Sequence, residues 1–181
     1  MKCFEPFATA HKIFDLPIEF YKKLNIKYVL CDLDNTLDAY YMKTPSEEAK
    51  AYYDLLKKND IELIVISNNK KSRVELYASG LGAKYIYKSG KPFKKKILNY
   101  LIANNCPLNE CIMIGDQVMT DVACANKLKI KSVLCDNLVE KDQLVTKFNK
   151  FICRGIINSL KRKNKLIPRE EKIYGSTQEN S

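Results

Sequence analysis

The stretch that most constrains this chain is Tyr28-Val29-Leu30-Cys31-Asp32-Leu33-Asp34-Asn35-Thr36-Leu37. Tyr28 to Leu33 is apolar, β-branched and aromatic, and too short for a helix, so it predicts a strand buried on both faces. A buried carboxylate without a partner is costly, which places Asp32 and Asp34 at the strand's C-terminal mouth. In open parallel α/β sheets that mouth is where ligands bind. Alternation turns residues 32 and 34 to one side of the strand and Leu33 to the other. Two neighbouring carboxylates suit a hard cation, and the cation in turn suits a phosphate. The competing possibility is a strand that merely ends in an acidic turn, and the rest of the chain has to separate the two.

Strands and helices alternate from there on. Thr44-Pro45-Ser46-Glu47 predicts a helix start, with Thr44 as N-cap, Pro45 at the first helical position and Glu47 completing a capping box. That helix runs to about Lys58 and is stopped by Asn59-Asp60. Ile61 to Ile66 is a second buried strand, with Ser67-Asn68-Asn69 at its mouth. A polar helix follows to Gly80, where glycine ends it. Ala83 to Tyr87 is a short third strand leading into Ser89-Gly90-Lys91-Pro92, and Pro92 opens a helix to about Asn104. Lys94, Lys95 and Lys96 in its first turns oppose the helix dipole, a placement that makes sense beside an anion. Cys111 to Ile114 is a fourth strand, with Gly115-Asp116-Gln117-Val118-Met119-Thr120-Asp121 at its mouth. A helix to about Lys129 and a fifth strand, Ile130 to Cys135, complete the series. Such alternation calls for an α/β fold with a doubly wound, parallel, five-stranded sheet and right-handed crossovers.

At 181 residues the chain has single-domain size. Its expected parts are an N-terminal arm packed on the core (1–27), the core itself (28–138), a basic amphipathic helical segment (139–167) and a disordered tail (168–181). Phe4, Phe7, Ile13, Phe14, Leu16, Ile18, Phe20 and Leu24 make the arm too apolar to be free, while Pro6 and Pro17 keep it from being one helix. His11, the only histidine, lies far in sequence from the acids and is expected to be structural or incidental rather than catalytic. Lys141 to Lys165 holds eight cationic residues against Asp142 alone, with Leu144, Phe148, Phe151, Ile152, Ile156 and Leu160 at helical spacing. This is either a helix that lies on anionic lipid, or an apolar stripe docked on the core with its lysines in water.

The net charge of +10 points to an anionic partner: a phosphate ester, a membrane surface or, less favoured, a nucleic acid. Seven scattered cysteines without a C-x-x-C pair support neither a disulfide framework nor a zinc site, and fit a reducing cytosol. No secretory pattern opens the chain and no apolar run is long enough for a transmembrane segment. The expected location is cytoplasmic, with membrane contact confined to the inner surface.

Four strand mouths therefore carry polar signatures in order: Asp32-x-Asp34-x-Thr36, Ser67, Lys91, and Gly115-Asp116 through Asp121. This set resembles the haloacid dehalogenase (HAD) superfamily of phosphohydrolases over about residues 24–136. The resemblance implies a HAD-like Rossmannoid fold, a Mg²⁺ ion and an aspartyl-phosphate intermediate. By it Asp32 is the nucleophile, and Asp34 the acid and base whose main-chain carbonyl also meets the metal. ATPase relatives carry threonine at this second position, so the acid argues for a phosphatase. Asp116 would hold the metal with Asp32, and Asp121 would support it. Ser67 would donate to a phosphoryl oxygen, and Lys91 would balance the developing charge. Thr36 and Asn68 are further phosphate-binding candidates. Taken singly, Ser67 could be a helix cap, Lys91 a surface lysine and Asp121 a surface acid.

Asp34 and Ser67 are 33 positions apart, and Ser67 and Lys91 are 24 apart. Neither gap can hold a cap domain, so the site is expected to be open and to suit a phosphate on something large. Ile26-Lys27-Tyr28, Ser67-Asn68-Asn69 with Arg73-Val74, Gly90-Lys91-Pro92 and Gly115-Asp116-Gln117 with Thr120-Asp121 look like the YqeG-type subfamily IIIA phosphatases. That group is related to the mitochondrial phosphatidylglycerophosphate phosphatase. The similarity implies a phosphatidylglycerophosphatase, with Arg73 able to reach the substrate's second phosphate. After Asp121, where that group carries glycines, this chain has Val122-Ala123-Cys124-Ala125-Asn126. A capless phosphatase for nucleic-acid ends or a phosphoprotein is the main alternative, and an interaction scaffold that has kept the fold is the other.

Overall fold

The apolar runs become neighbouring parallel strands, and the computed structural model, which describes residues 2–138 and 147–174, adds one more. The strands are β1 (Ala8–Ala10), β2 (Tyr28–Asp32), β3 (Glu62–Ile66), β4 (Lys84–Ile86), β5 (Cys111–Gly115) and β6 (Lys131–Cys135). Their order across the sheet is β1-β6-β5-β2-β3-β4, parallel throughout. The sheet thus has six strands where the sequence predicts five. The extra one is Ala-Thr-Ala from the arm, too short and too weak in β-propensity to read as a strand. It is held by register with β6, Ala8 opposite Val133 and Ala10 opposite Cys135. β2 lies between β5 and β3, so Asp32 ends in the middle of the sheet's C-terminal edge.

Both faces are covered, as a parallel sheet requires. One face packs Val29, Cys31, Leu63 and Val65 against α1 (Ile18–Lys23), α2 (Glu47–Lys58) and α3 (Lys71–Leu81), with Ile13, Tyr21, Leu56 and Tyr77 at 0 % exposure. The other packs Leu30, Ile64 and Met113 against Ile97 and Leu101 of α4 (Lys95–Ala103) and Cys124 and Ala125 of α5 (Ala123–Leu128). Burying each of the Val, Leu, Ile and Met side chains among these contributes about 1.5–3 kcal/mol.

Three helix limits differ from expectation for visible reasons. α2 starts one residue after Ser46, not at Thr44: Ser46 accepts from the Ala49 amide at 3.1 Å. The Asp38 carboxylate accepts the Ser46 amide at 2.9 Å and keeps the preceding Thr44-Pro45 outside the helix. α3 passes through Gly80 and stops at Gly82, whose φ of +72° is the left-handed cap. Gly80 serves close packing instead, since a Cβ there would lie 2.7 Å from Pro45 Cδ. α4 starts at Lys95, after a turn from the cis Lys91-Pro92 bond, and Lys96 donates to the carbonyls of Tyr87 and Lys88.

The basic segment forms α6 (Lys147–Arg162). Leu160 is buried, and Ile156 and Ile157 pack on Val118, Val122 and Leu134, so this part of the apolar stripe faces the core. Residues 139–146 lie outside the described residues, as do the side chains of 147–152. Within the expected disordered tail, Arg169–Tyr174 forms a helix, α7, tied down by Arg169 to Asp15 at 3.7 Å. Among the described residues no helix is long and apolar enough to cross a membrane.

Candidate active site

Following β2, the chain turns on Asn35, whose φ of +70° is a left-handed conformation that asparagine tolerates. Its amide donates to the Asp38 carbonyl at 2.7 Å and its Oδ1 accepts from the Tyr40 amide at 3.2 Å. Asp38 is buried and takes the Tyr77 hydroxyl at 2.5 Å as well as the Ser46 amide. These bonds clamp the loop to α2 and α3 and hold both acids in place. Neither Asp38 nor its role shows in the sequence, because its partners come from two later helices.

The strand mouths enclose a cavity of about 220 Å³ walled by Asp32, Asp34, Ser67, Asn69, Lys91 and Gln117, among others. Lys91 is at its base, 3 % exposed, with Nζ 2.5 Å from Asp32 Oδ1 and 2.6 Å from Asp121 Oδ1. Asn68 fixes the turn that delivers it: Oδ1 accepts from the Lys91 amide (3.0 Å) and the Ser89 hydroxyl (2.8 Å), while Nδ2 donates to the Lys91 carbonyl (2.9 Å). Gly115 leaves room for the Asp121 carboxylate, since a Cβ there would lie 2.3 Å from Asp121 Cγ. Asp121 Oδ2 accepts from the Gln117 amide at 3.1 Å. A wide π-helical turn, Val118–Val122, aims Asp121 back over the mouth.

Asp32, Asp116 and Asp121 bring one carboxylate oxygen each to within 4.8 Å of one another. Three hard oxygen donors facing one ammonium leave an excess of negative charge that a divalent cation would balance, so the donor set fits a metal. The Asp34 side chain is not part of this cluster. Its Oδ2 accepts from Asn69 Nδ2 at 2.7 Å and from Ser67 Oγ at 3.4 Å, and its Oδ1 faces Arg73 Nη2 at 3.1 Å. Any metal contact of Asp34 is therefore left to its main-chain carbonyl.

Electrostatics separate the groups further. Burial pushes the Asp32 carboxyl up; Lys91 opposes this, Asp121 adds to it, and the result is about 7. For Lys91 burial works against the charge, but Asp121 and Asp32 outweigh it and hold the ammonium above its ordinary value. Burial, and after it the Asp116 carboxylate, pushes the Cys153 thiol of α6 up. The packing of Ile156 and Ile157 on Val118 and Val122 puts that helix against the turn that carries Asp121.

Of the sequence candidates, Asp32, Asp34, Ser67, Asn68 and Lys91 line the cavity, and Asp116 and Asp121 close its acidic side. Arg73, which could equally have been an exposed helix arginine, is instead partly buried on Asp34. Thr36 is the exception. It is 1 % exposed and off the cavity wall, and its buried hydroxyl has no hydrogen-bond partner among the described residues. Asn69 joins the site without having been a candidate, although its place in Ser67-Asn68-Asn69 at a strand mouth is signal enough.

A HAD-hydrolase-like family model matches residues 88–161. The probable phosphatase YqeG of Bacillus subtilis (strain 168) is 32% identical over 162 residues, 90% of this chain and 94% of the relative. Among solved structures, a putative 3-deoxy-D-manno-octulosonate 8-phosphate phosphatase from Vibrio cholerae superposes with a TM-score of 0.53 at 15% identity, over 67% of this chain and 73% of that one. The corresponding enzyme of Moraxella catarrhalis, determined with magnesium ion, phosphate ion and KDO, gives 0.51 at 17% identity over 90% of this chain and 99% of that one. These structures share the fold, and the Bacillus relative carries the kinship: the chain belongs to the YqeG family of HAD-type phosphatases.

Proposed function

We propose that this protein is a Mg²⁺-dependent phosphomonoester hydrolase that works through an aspartyl phosphate on Asp32 and converts phosphatidylglycerophosphate to phosphatidylglycerol. The observation that carries the reaction is the divided mouth, with Asp32 on a buried lysine and Asp34 two residues on among neutral and cationic donors. Asp32 attacks phosphorus, which splits one hard step into two. Asp34 gives a proton to the leaving oxygen and then takes one from the water that opens the intermediate. Lys91 neutralises charge at the attacked phosphoryl group, and Ser67 donates to one of its oxygens. Asn68 acts indirectly, by fixing the Lys91 backbone. Asp32, Asp116 and Asp121, with the Asp34 carbonyl, would hold Mg²⁺, which supplies positive charge to the phosphoryl oxygens. The Moraxella enzyme, determined in complex with magnesium and phosphate ions, supports that choice of metal.

Support for a lipid substrate is the open mouth. The segments between Asp34 and Lys91 form only a loop, α2, β3, α3 and β4, none of them a cap. A phosphate presented at the surface of an anionic membrane could reach such a site, and the net charge of +10 favours peripheral contact on the cytoplasmic face. The test is Mg²⁺-dependent phosphate release from phosphatidylglycerophosphate in mixed micelles, beside 5′-phosphorylated oligonucleotides, a phosphopeptide and p-nitrophenyl phosphate, with Asp32→Asn as control. The lipid should give the highest kcat/KM. Asp32-dependent hydrolysis of the others without the lipid would keep the phosphatase and reject the substrate.

A further inference from the structure

The N-terminal edge of the sheet, opposite the catalytic mouth, holds a second cavity of about 550 Å³. Five lysines from separate parts of the chain line it: Lys2, Lys129, Lys131, Lys165 and Lys172. Its one acidic lining residue, Glu5, is taken up by Lys165 at 3.1 Å. The other four lysines have no carboxylate partner among the described residues. Two of them crowd one aromatic ring, with Lys172 Nζ 4.8 Å and Lys131 Nζ 5.9 Å from the centroid of Phe7. Like charges gathered on one ring repel each other, and the one acid in the lining, Glu5, is already paired with Lys165. Ser132, also in the lining, is 2 % exposed and its hydroxyl has no hydrogen-bond partner.

We propose that this cavity is a binding site for a small, multiply charged phosphate compound, separate from the catalytic site. The volume is that of a small-molecule site. Ammonium groups arriving from several directions suit phosphate oxygens as point charges, without the planar fork that a carboxylate or guanidinium pairing uses. The surplus of four positive charges asks for a ligand with at least two negative ones. Lys131 opens β6 and Cys135 closes it at the catalytic edge, so the strand alone puts about 13 Å between the two sites. Binding there does not depend on which substrate the enzyme takes.

The probe is sodium tripolyphosphate, titrated calorimetrically into the full chain in EDTA, where the catalytic carboxylates repel anions. One saturable site is expected. Lys131→Gln/Lys172→Gln should weaken it at least tenfold, while Mg²⁺-dependent hydrolysis of p-nitrophenyl phosphate stays within twofold of wild type. Lys94→Gln/Lys95→Gln, which removes as much charge at the catalytic edge, should leave the affinity within twofold. No saturable binding by the wild type, or equal losses in the two double variants, would overturn the proposal in favour of diffuse attraction to a basic protein.

Discussion

Asp32 and Asp34 lie two residues apart and are equally buried, each 8 % exposed, yet the fold gives them opposite company. The half of the mouth around Asp32 is built from the loops after β4 and β5, which supply Lys91, Asp116 and Asp121. The half around Asp34 is built from the loop after β3, which supplies Ser67 and Asn69, and from α3, which supplies Arg73. One side concentrates negative charge round a single ammonium; the other presents only donors. In the proposed mechanism a carboxylate in the first setting shares a cation and attacks, and one in the second is oriented while it moves a proton. The strand positions the pair, and their neighbours divide the labour between them.

The largest test of that division removes the attacking group. Asp32→Asn should lower kcat on the order of 10⁴-fold, since the residual rate comes from binding and charge alone. The wild type should gain Tm on addition of Mg²⁺, and this variant should not. Asp34→Asn should cost roughly 10²–10⁴-fold in kcat, but should keep the Mg²⁺-dependent rise in Tm, because its carboxylate is not in the metal cluster. If both variants lost the thermal response equally, the two halves would not be separate.

Lys91→Met tests the cation at the base. It leaves Asp32 and Asp121 buried without their shared partner. Breaking a buried ion pair on one side costs about 3–5 kcal/mol, measurable by urea denaturation in EDTA. Mg²⁺ should recover a large part of the loss in stability, though not the activity.

The same cluster sets a pH dependence. Burial first, and Asp121 after it, raise Asp32 against the pull of Lys91 to about 7 from its ordinary 3.8. The folded protein therefore holds this proton more tightly than the unfolded chain does. Its contribution to stability is full below about pH 4 and is lost as pH climbs through 7. In EDTA, Tm of the wild type should fall relative to Asp32→Asn across that window. A metal that binds only the folded carboxylates should remove the slope.

How much of this was legible depended on whether a residue's partners were local. β2 and its two acids could be read directly, because an apolar run ending in D-x-D has few placements in a folded chain. Lys91, Asp116 and Asp121 became readable once the strand mouths were taken together. β1 was not, since three residues become a strand only through register with β6, the sixth strand in the chain. Asp38 was not, since Tyr77 and Ser46 reach it from later helices. Helix ends failed likewise: Gly80 looks like a stop, yet its packing on Pro45 is tertiary, and Gly82 does the stopping.

Arg73 offers the smallest and sharpest test, because it contacts Asp34 and is also the candidate for a second phosphate on the proposed substrate. Its guanidinium faces Asp34 Oδ1 at 3.1 Å and donates to the Tyr40 carbonyl at 3.5 Å, so it ties the acid to the loop that bears it. Arg73→Ala leaves Asp34 with Asn69 and Ser67 on its other oxygen. A misplaced acid slows every substrate alike, so kcat should drop about 10–100-fold on both p-nitrophenyl phosphate and phosphatidylglycerophosphate, with KM little changed. Were Arg73 chiefly a ligand for the second phosphate, kcat on the monophosphate would hold and KM would rise for the lipid alone. Lys at this position restores charge without the planar fork. Partial rescue of kcat by Arg73→Lys would show that charge beside Asp34, more than geometry, is what the second half of the mouth provides.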